Sequence, residues 1–163
     1  MEEIKKESVI RKYASVSELD ENDRQLLEQA KRAVSTSYAP YSKFHVGAAL
    51  ILENGVVISG SNQENIAYPS GLCAERVAIF HAGAAYPDVP VVAMAVTAKA
   101  EDFEMKEPVM SCGACLQSMS EFELKFGRPI RIILQGETGD IYIAEGLRTF
   151  MPFMFWVNEL RTV

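Results

Sequence analysis

Between Val91 and Ala98 the chain reads Val-Val-Ala-Met-Ala-Val-Thr-Ala, an almost continuous apolar run without helical period. A strand with one wet face alternates polar and apolar residues, so this one is expected to lie centrally in a sheet and to be covered on both faces. Such a strand requires a helical layer on each side.

The flanking patterns supply those layers. Leu19, Leu26, Leu27, Ala30, Ala33 and Val34 recur at helical spacing from Ser17, the expected cap, to about Ser37, before Tyr38-Ala39-Pro40. Val46, Ala48, Leu50 and Leu52 alternate, Asn54-Gly55 supplies a tight turn, and Val56, Val57 and Ile58 return, which predicts a hairpin. Residues 73–85 are rich in Ala, Val, Ile and Phe and predict a buried helix with Glu75 in its first turn. A second helix is expected from about Cys112 to Phe126, stopped by Gly127 and Pro129. Residues 130–134 and 140–143 read as the last two strands. The segment Phe150 to Trp156 reads as a core-packing helix or, alternatively, a subunit contact. The expected fold is α/β: a three-layer α/β/α sandwich around a mixed, mostly five-stranded sheet. One domain spans 17–163, and 1–16, charged and without clear period, is an N-terminal extension.

A chain of 163 residues is long enough for one complete core and short for two ordinary domains. With 48% hydrophobic and 23% charged residues it has a globular composition, and no apolar run approaches bilayer length, so no membrane partner is expected. The start, Met1-Glu2-Glu3-Ile4-Lys5-Lys6-Glu7, lacks the apolar core of an export signal, and three cysteines, an odd number, fit a reducing cytoplasm. A net charge of -6 argues against a nucleic-acid polymer, whose phosphates demand clustered Lys and Arg, and favours a small, nearly neutral substrate.

The cysteines carry the chemistry. Cys112 and Cys115 stand three apart at a helix start, where both point to one side, and Cys73 opens Cys73-Ala74-Glu75-Arg76 at another. Helix N-termini bear partial positive charge and favour thiolates. Three thiolates can hold one zinc and leave a tetrahedral corner free for water. Packed thiols and a redox dithiol are the alternatives; the dithiol leaves Cys73 and Glu75 without a role. His45, in an expected strand, and His81, in an apolar helical stretch, read as packed or surface residues rather than ligands. Glu75, not needed as a ligand, suits a proton shuttle, and Arg76 reads either as an exposed helical arginine or as the cation offsetting thiolate charge.

The chain resembles the cytidine deaminases, zinc enzymes of nucleoside salvage. The resemblance rests on 37–44 (Ser-Tyr-Ala-Pro-Tyr-Ser-Lys-Phe) with 46–50 (Val-Gly-Ala-Ala-Leu), on 60–65 (Gly-Ser-Asn-Gln-Glu-Asn) with 68–76 (Tyr-Pro-Ser-Gly-Leu-Cys-Ala-Glu-Arg), and on Cys112-Gly113-Ala114-Cys115 with Gln117. It covers about Leu26 to Phe155. It implies one zinc per subunit on Cys73, Cys112 and Cys115, attack of a zinc-activated water at C4 of cytosine, and Glu75 protonating N3 and then carrying a proton to the departing amine. It also implies that Phe44 packs against the pyrimidine, that Asn62 and Glu64 hydrogen-bond the ribose, and that the backbone at Ala74 and Ser111 faces the base. A homotetramer whose neighbours complete each pocket, with Tyr68 and Phe155 taking part, is implied as well.

Two positions depart from the family pattern, which has Pro before the Cys-x-x-Cys pair and Arg after it; this chain has Ser111 and Leu116. The expected consequence is retained zinc with less ready water ionisation and a lower rate. Alternative readings are a deaminase of a modified nucleoside or aminonucleoside antibiotic, a zinc-binding homologue with weak or no turnover, and, least favoured by the acidic balance, a deaminase acting on DNA or RNA.

Overall fold

A computed structural model describes residues 1–157 and 160 of the chain. Among these, a six-stranded mixed sheet runs β1 (Arg11–Tyr13), β6 (Ile141–Glu145), β5 (Arg131–Gln135), β4 (Val91–Ala100), β2 (Phe44–Leu52), β3 (Val57–Ser61) in spatial order. Three α-helices cover it: α1 (Glu21–Ala33), α2 (Ala74–Ala85) and α3 (Gly113–Phe126). β4 and β5 are parallel, with Val96 beside Leu134; the other neighbours are antiparallel. None of these helices is long and apolar enough to cross a membrane.

The apolar run is central, as its composition requires. Met94, Val96, Ile132 and Leu134 face a core that includes Ala78, Ile79 and Met119 from α2 and α3, while Ala93, Ala95, Ile133 and Ile143 face Leu26, Leu27 and Ala30 of α1. The α/β/α layering therefore follows from which side of each strand is apolar.

Two glycines set the spacing of helices and sheet. A Cβ on Gly47 would sit 2.1 Å from the Ala30 carbonyl oxygen, and one on Gly60 would sit 2.6 Å from that of Ala74. α1 and α2 thus lie directly on backbone, and the seat of α2 on β3 locates its first turn.

Three boundaries differ from the sequence expectation. Strand β1 brings the sheet to six strands instead of five. It pairs with β6, Lys12 beside Tyr142, and Lys12 reaches Asp140 at 2.5 Å. Three residues are too few for an alternating pattern to register in sequence. Helix α1 is capped by Asp20, whose Oδ1 accepts the Asp23 N–H at 2.9 Å, and not by Ser17, which lies in a separate 3-10 turn (Val16–Glu18). The buried Leu19 ends that turn, so the helix restarts one residue later. Finally, residues 150–156 do not form a helix. A 3-10 turn (Leu147–Thr149) precedes them, and Pro152 disfavours helical backbone at Met151 and cannot donate an N–H. Met154 is buried there, whereas Phe153 and Phe155 are exposed.

Candidate active site

Strand β3 runs through 62–73 into α2, and β4 runs through 101–112 into α3, so both helices begin at the same end of the sheet. Cys73 is the N-cap of α2 and Cys112 that of α3, both extended and without a side-chain cap, which leaves the positive helix ends facing the sulfurs. Cys115 follows in the first turn of α3. Cys73 Sγ lies 4.0 Å from Cys112 Sγ, Cys112 Sγ lies 3.5 Å from Cys115 Sγ, and all three fall within 4.8 Å of one another.

These separations fit one zinc ion. A Zn–S bond of about 2.3 Å places two sulfurs of a tetrahedral set about 3.8 Å apart. The thiols are free, and the Cys115 thiol and then the Arg76 guanidinium hold Cys73 down at about 5. Cys115, fully buried, is pushed above the ordinary thiol range by the Cys73 sulfur and by desolvation. Arg76 Nη2 lies 3.8 Å from Cys73 Sγ and donates to the Gly71 carbonyl at 3.4 Å.

Glu75 extends from the first turn of α2 toward the same cavity and is 4% exposed. Burial raises its carboxyl above the ordinary range, which suits a group that must both carry and release a proton near neutrality. The cavity, about 800 Å³, is walled by Phe44 and Val46 from β2, Asn62 and Glu64 after β3, Tyr68, and Cys73, Glu75, Arg76 and Cys112.

Asn62 is clamped to β2: its Oδ1 accepts the Val46 N–H at 2.8 Å and its Nδ2 donates to the Phe44 carbonyl at 2.8 Å. One amide hydrogen and one oxygen lone pair remain for a ligand. Glu64 Oε2 accepts the N–H groups of Tyr41 at 2.8 Å and Ser42 at 3.2 Å, and the Ser42 hydroxyl and these two N–H groups hold its carboxyl below the usual range. Leu72, Val96, Val109 and Met110 add apolar lining to the same cavity.

The remaining expected positions are distributed differently. Ala74 is fully buried, and the buried Ser111 hydroxyl lies beside the Glu75 carboxyl, which it helps to hold down against the effect of burial; neither residue lines the cavity. Tyr68 lines it, 76% exposed, with its ring edge-on to Tyr41 at 5.9 Å. Phe155 is away from it, its carbonyl accepting Gln117 Nε2 at 3.0 Å beside α3. Leu116 packs into the core, so the cation beside the sulfurs is Arg76. Val109 and Met110 went unnoticed in sequence because they sit in an otherwise polar connection with no periodic pattern.

The family model described as the cytidine and deoxycytidylate deaminase zinc-binding region matches residues 20–126. A cytidine deaminase of Halalkalibacterium halodurans is 42% identical over 141 residues, covering 85% of this chain and 98% of that one. The crystal structure of cytidine deaminase from Burkholderia pseudomallei superposes with a TM-score of 0.70 at 37% identity, covering 80% of this chain and 97% of that one. That from Mycobacterium tuberculosis gives 0.64 at 26% identity, covering 85% and 99%. Three converging sulfurs at two helix starts, a buried glutamate beside them and a match over both cysteine segments have one common explanation: the chain belongs to the cytidine and deoxycytidylate deaminase family.

Proposed function

We propose that the chain catalyses zinc-dependent hydrolytic deamination of cytidine and deoxycytidine, yielding uridine or deoxyuridine and ammonia. The observation that carries this reading is the buried Glu75 carboxyl in the same cavity as Cys73 and Cys112, beside the three-sulfur cluster. Cys73, Cys112 and Cys115 would hold the zinc, whose Lewis acidity, when bound, activates a water for attack on the amine-bearing ring carbon. Glu75 takes a proton from the attacking water and passes it to ring N3, then takes the proton of the new hydroxyl on the ring carbon and gives it to the amine as the C–N bond breaks, so one water is consumed for each ammonia released. Phe44 packs on the pyrimidine and Asn62 and Glu64 bind the ribose hydroxyls; contact of the base with the backbone at Ala74 and Ser111, which do not line the cavity here, would require those segments to open.

In this reading residues 17–163 form the domain and 1–16 extend it, adding β1 to the sheet edge. A homotetramer in which neighbours complete each cavity is supported by the exposure of Tyr68, Ile66 and Phe155, at 76%, 83% and 69%, with Phe155 placed away from its own chain's substrate cavity. A cytoplasmic location is supported by the free thiols.

The test is the cytidine absorbance band. Purified zinc-loaded protein is expected to abolish it with release of one ammonia per nucleoside. A panel of substituted nucleosides checks the substrate, and preference for one of them over cytidine and deoxycytidine would overturn the assignment.

A further inference from the structure

On β2, Phe44 and Val46 face the cavity, and His45, between them, faces the other way. His45 Nδ1 lies 2.5 Å from Ser37 Oγ, and its Nε2 lies 3.1 Å from Glu101 Oε1. A carboxylate only accepts, so Nε2 carries a proton toward Glu101; in the neutral ring Nδ1 then accepts the Ser37 hydroxyl. The other Glu101 oxygen faces Lys43 Nζ at 3.9 Å, and the Glu101 N–H donates to the Lys43 carbonyl at 3.1 Å. None of the three residues Ser37, His45 and Glu101 lines the cavity.

What they join is two of the segments that line the cavity. Ser37 begins the turn that carries Tyr41, Ser42 and Phe44, and Glu101 begins the connection that carries Val109 and Met110. The turn is held against a local cost: Lys43, immediately before Phe44, sits at φ 54°, a left-handed conformation that a residue with a Cβ adopts only when its surroundings compel it. The turn's N–H groups also cradle Glu64.

We propose that His45 is a positioning residue for nucleoside binding, a strap through Ser37 and Glu101 that holds the Lys43 turn and with it Phe44 and Glu64 at the cavity. The role in binding rests on the deaminase reading above; the strap itself does not.

The experiment compares His45→Phe, Glu101→Ala and Glu101→Gln in the zinc-loaded full chain. By amide hydrogen exchange, His45→Phe and Glu101→Ala are expected to speed exchange across 38–44 and at Glu101 at least tenfold, with β4 and α1 as protected as in wild type. Glu101→Gln, which keeps an acceptor for Nε2–H, is expected to restore protection. Unchanged exchange in the first two variants overturns the strap whether or not the protein is active. In turnover of cytidine, KM is expected to rise about tenfold in His45→Phe and Glu101→Ala with kcat within about twofold, as loss of one or two hydrogen bonds predicts. An unchanged KM with wild-type turnover intact overturns the positioning role. A wild-type protein that releases no ammonia from any nucleoside overturns the deaminase reading instead, and the strap is then decided by exchange. Glu101 is half exposed, so its variants test the idea even if His45→Phe folds poorly.

Discussion

Arg76 points Nη2 at Cys73 Sγ across 3.8 Å while donating to the Gly71 carbonyl, so one guanidinium ties the loop before α2 to a zinc-binding sulfur. In Arg76→Gln the metal-free Cys73 thiol is expected to titrate above about 5, toward the ordinary thiol range, because a cation favouring the thiolate is gone. Alkylation of Cys73 at pH 6 should slow accordingly. Zinc affinity, measured by competition with a chelator, should weaken about tenfold. Titration identical to wild type would remove Arg76 from the electrostatics of the site.

Glu75→Gln keeps the size of the buried side chain and removes its titratable carboxyl. Turnover is expected to fall by about 10² to 10⁴, with zinc content and thermal midpoint close to wild type. Retention of wild-type kcat in this variant would exclude the shuttle.

Gly60→Ala places a methyl group 2.6 Å from the Ala74 carbonyl oxygen and 2.7 Å from the Ala78 nitrogen, both backbone atoms of α2. The helix must shift, at a cost of about 1–3 kcal/mol or more, and Cys73 and Glu75 shift with it. Gly47→Ala meets α1 instead and should cost similar stability. Zinc content after dialysis should therefore fall in Gly60→Ala and hold in Gly47→Ala among folded protein; equal retention would mean that the α2 contact does not locate the sulfurs.

Glu123, 8% exposed on α3, accepts two backbone N–H groups through one oxygen, Ile130 at 2.8 Å and Leu147 at 3.0 Å. Glu123→Ala strands both donors and should cost about 2–5 kcal/mol in denaturant unfolding. Glu123→Gln keeps an acceptor and should be near neutral or stabilising. Burial raises the Glu123 carboxyl, so its contribution is fully present below the ordinary glutamate range and is lost as pH rises through the higher folded value. The stability of Glu123→Gln relative to wild type should consequently improve with rising pH across that interval; a constant difference would contradict the direction of the shift.

The central strand, the hairpin with its Asn54-Gly55 turn and the starts of α2 and α3, each beginning at a cysteine, could all be read from the chain. Each depends on local periodicity, a turn residue or a motif whose members sit at helix starts, and those signals are written in neighbouring residues. Spacing put Cys112 and Cys115 on one side of a helix and left a redox dithiol open; zinc shared with Cys73 was what the family resemblance implied.

Tertiary structure decided the rest. Whether Arg11–Tyr13 pairs with β6 depends on that edge being free, since three residues carry no pattern of their own. Ser37, His45 and Glu101 meet because β2 lies beside β4, and Val109 and Met110 line the cavity after a connection whose residues 105–107 pack on the β5–β6 turn, where Gly136 and Gly139 admit their backbone. A strand pattern specifies which face is buried but not which neighbour it acquires; that choice is made by packing among residues far apart in the chain, and here it brings Cys73 to Cys112 and Cys115 and shapes the pocket beside them.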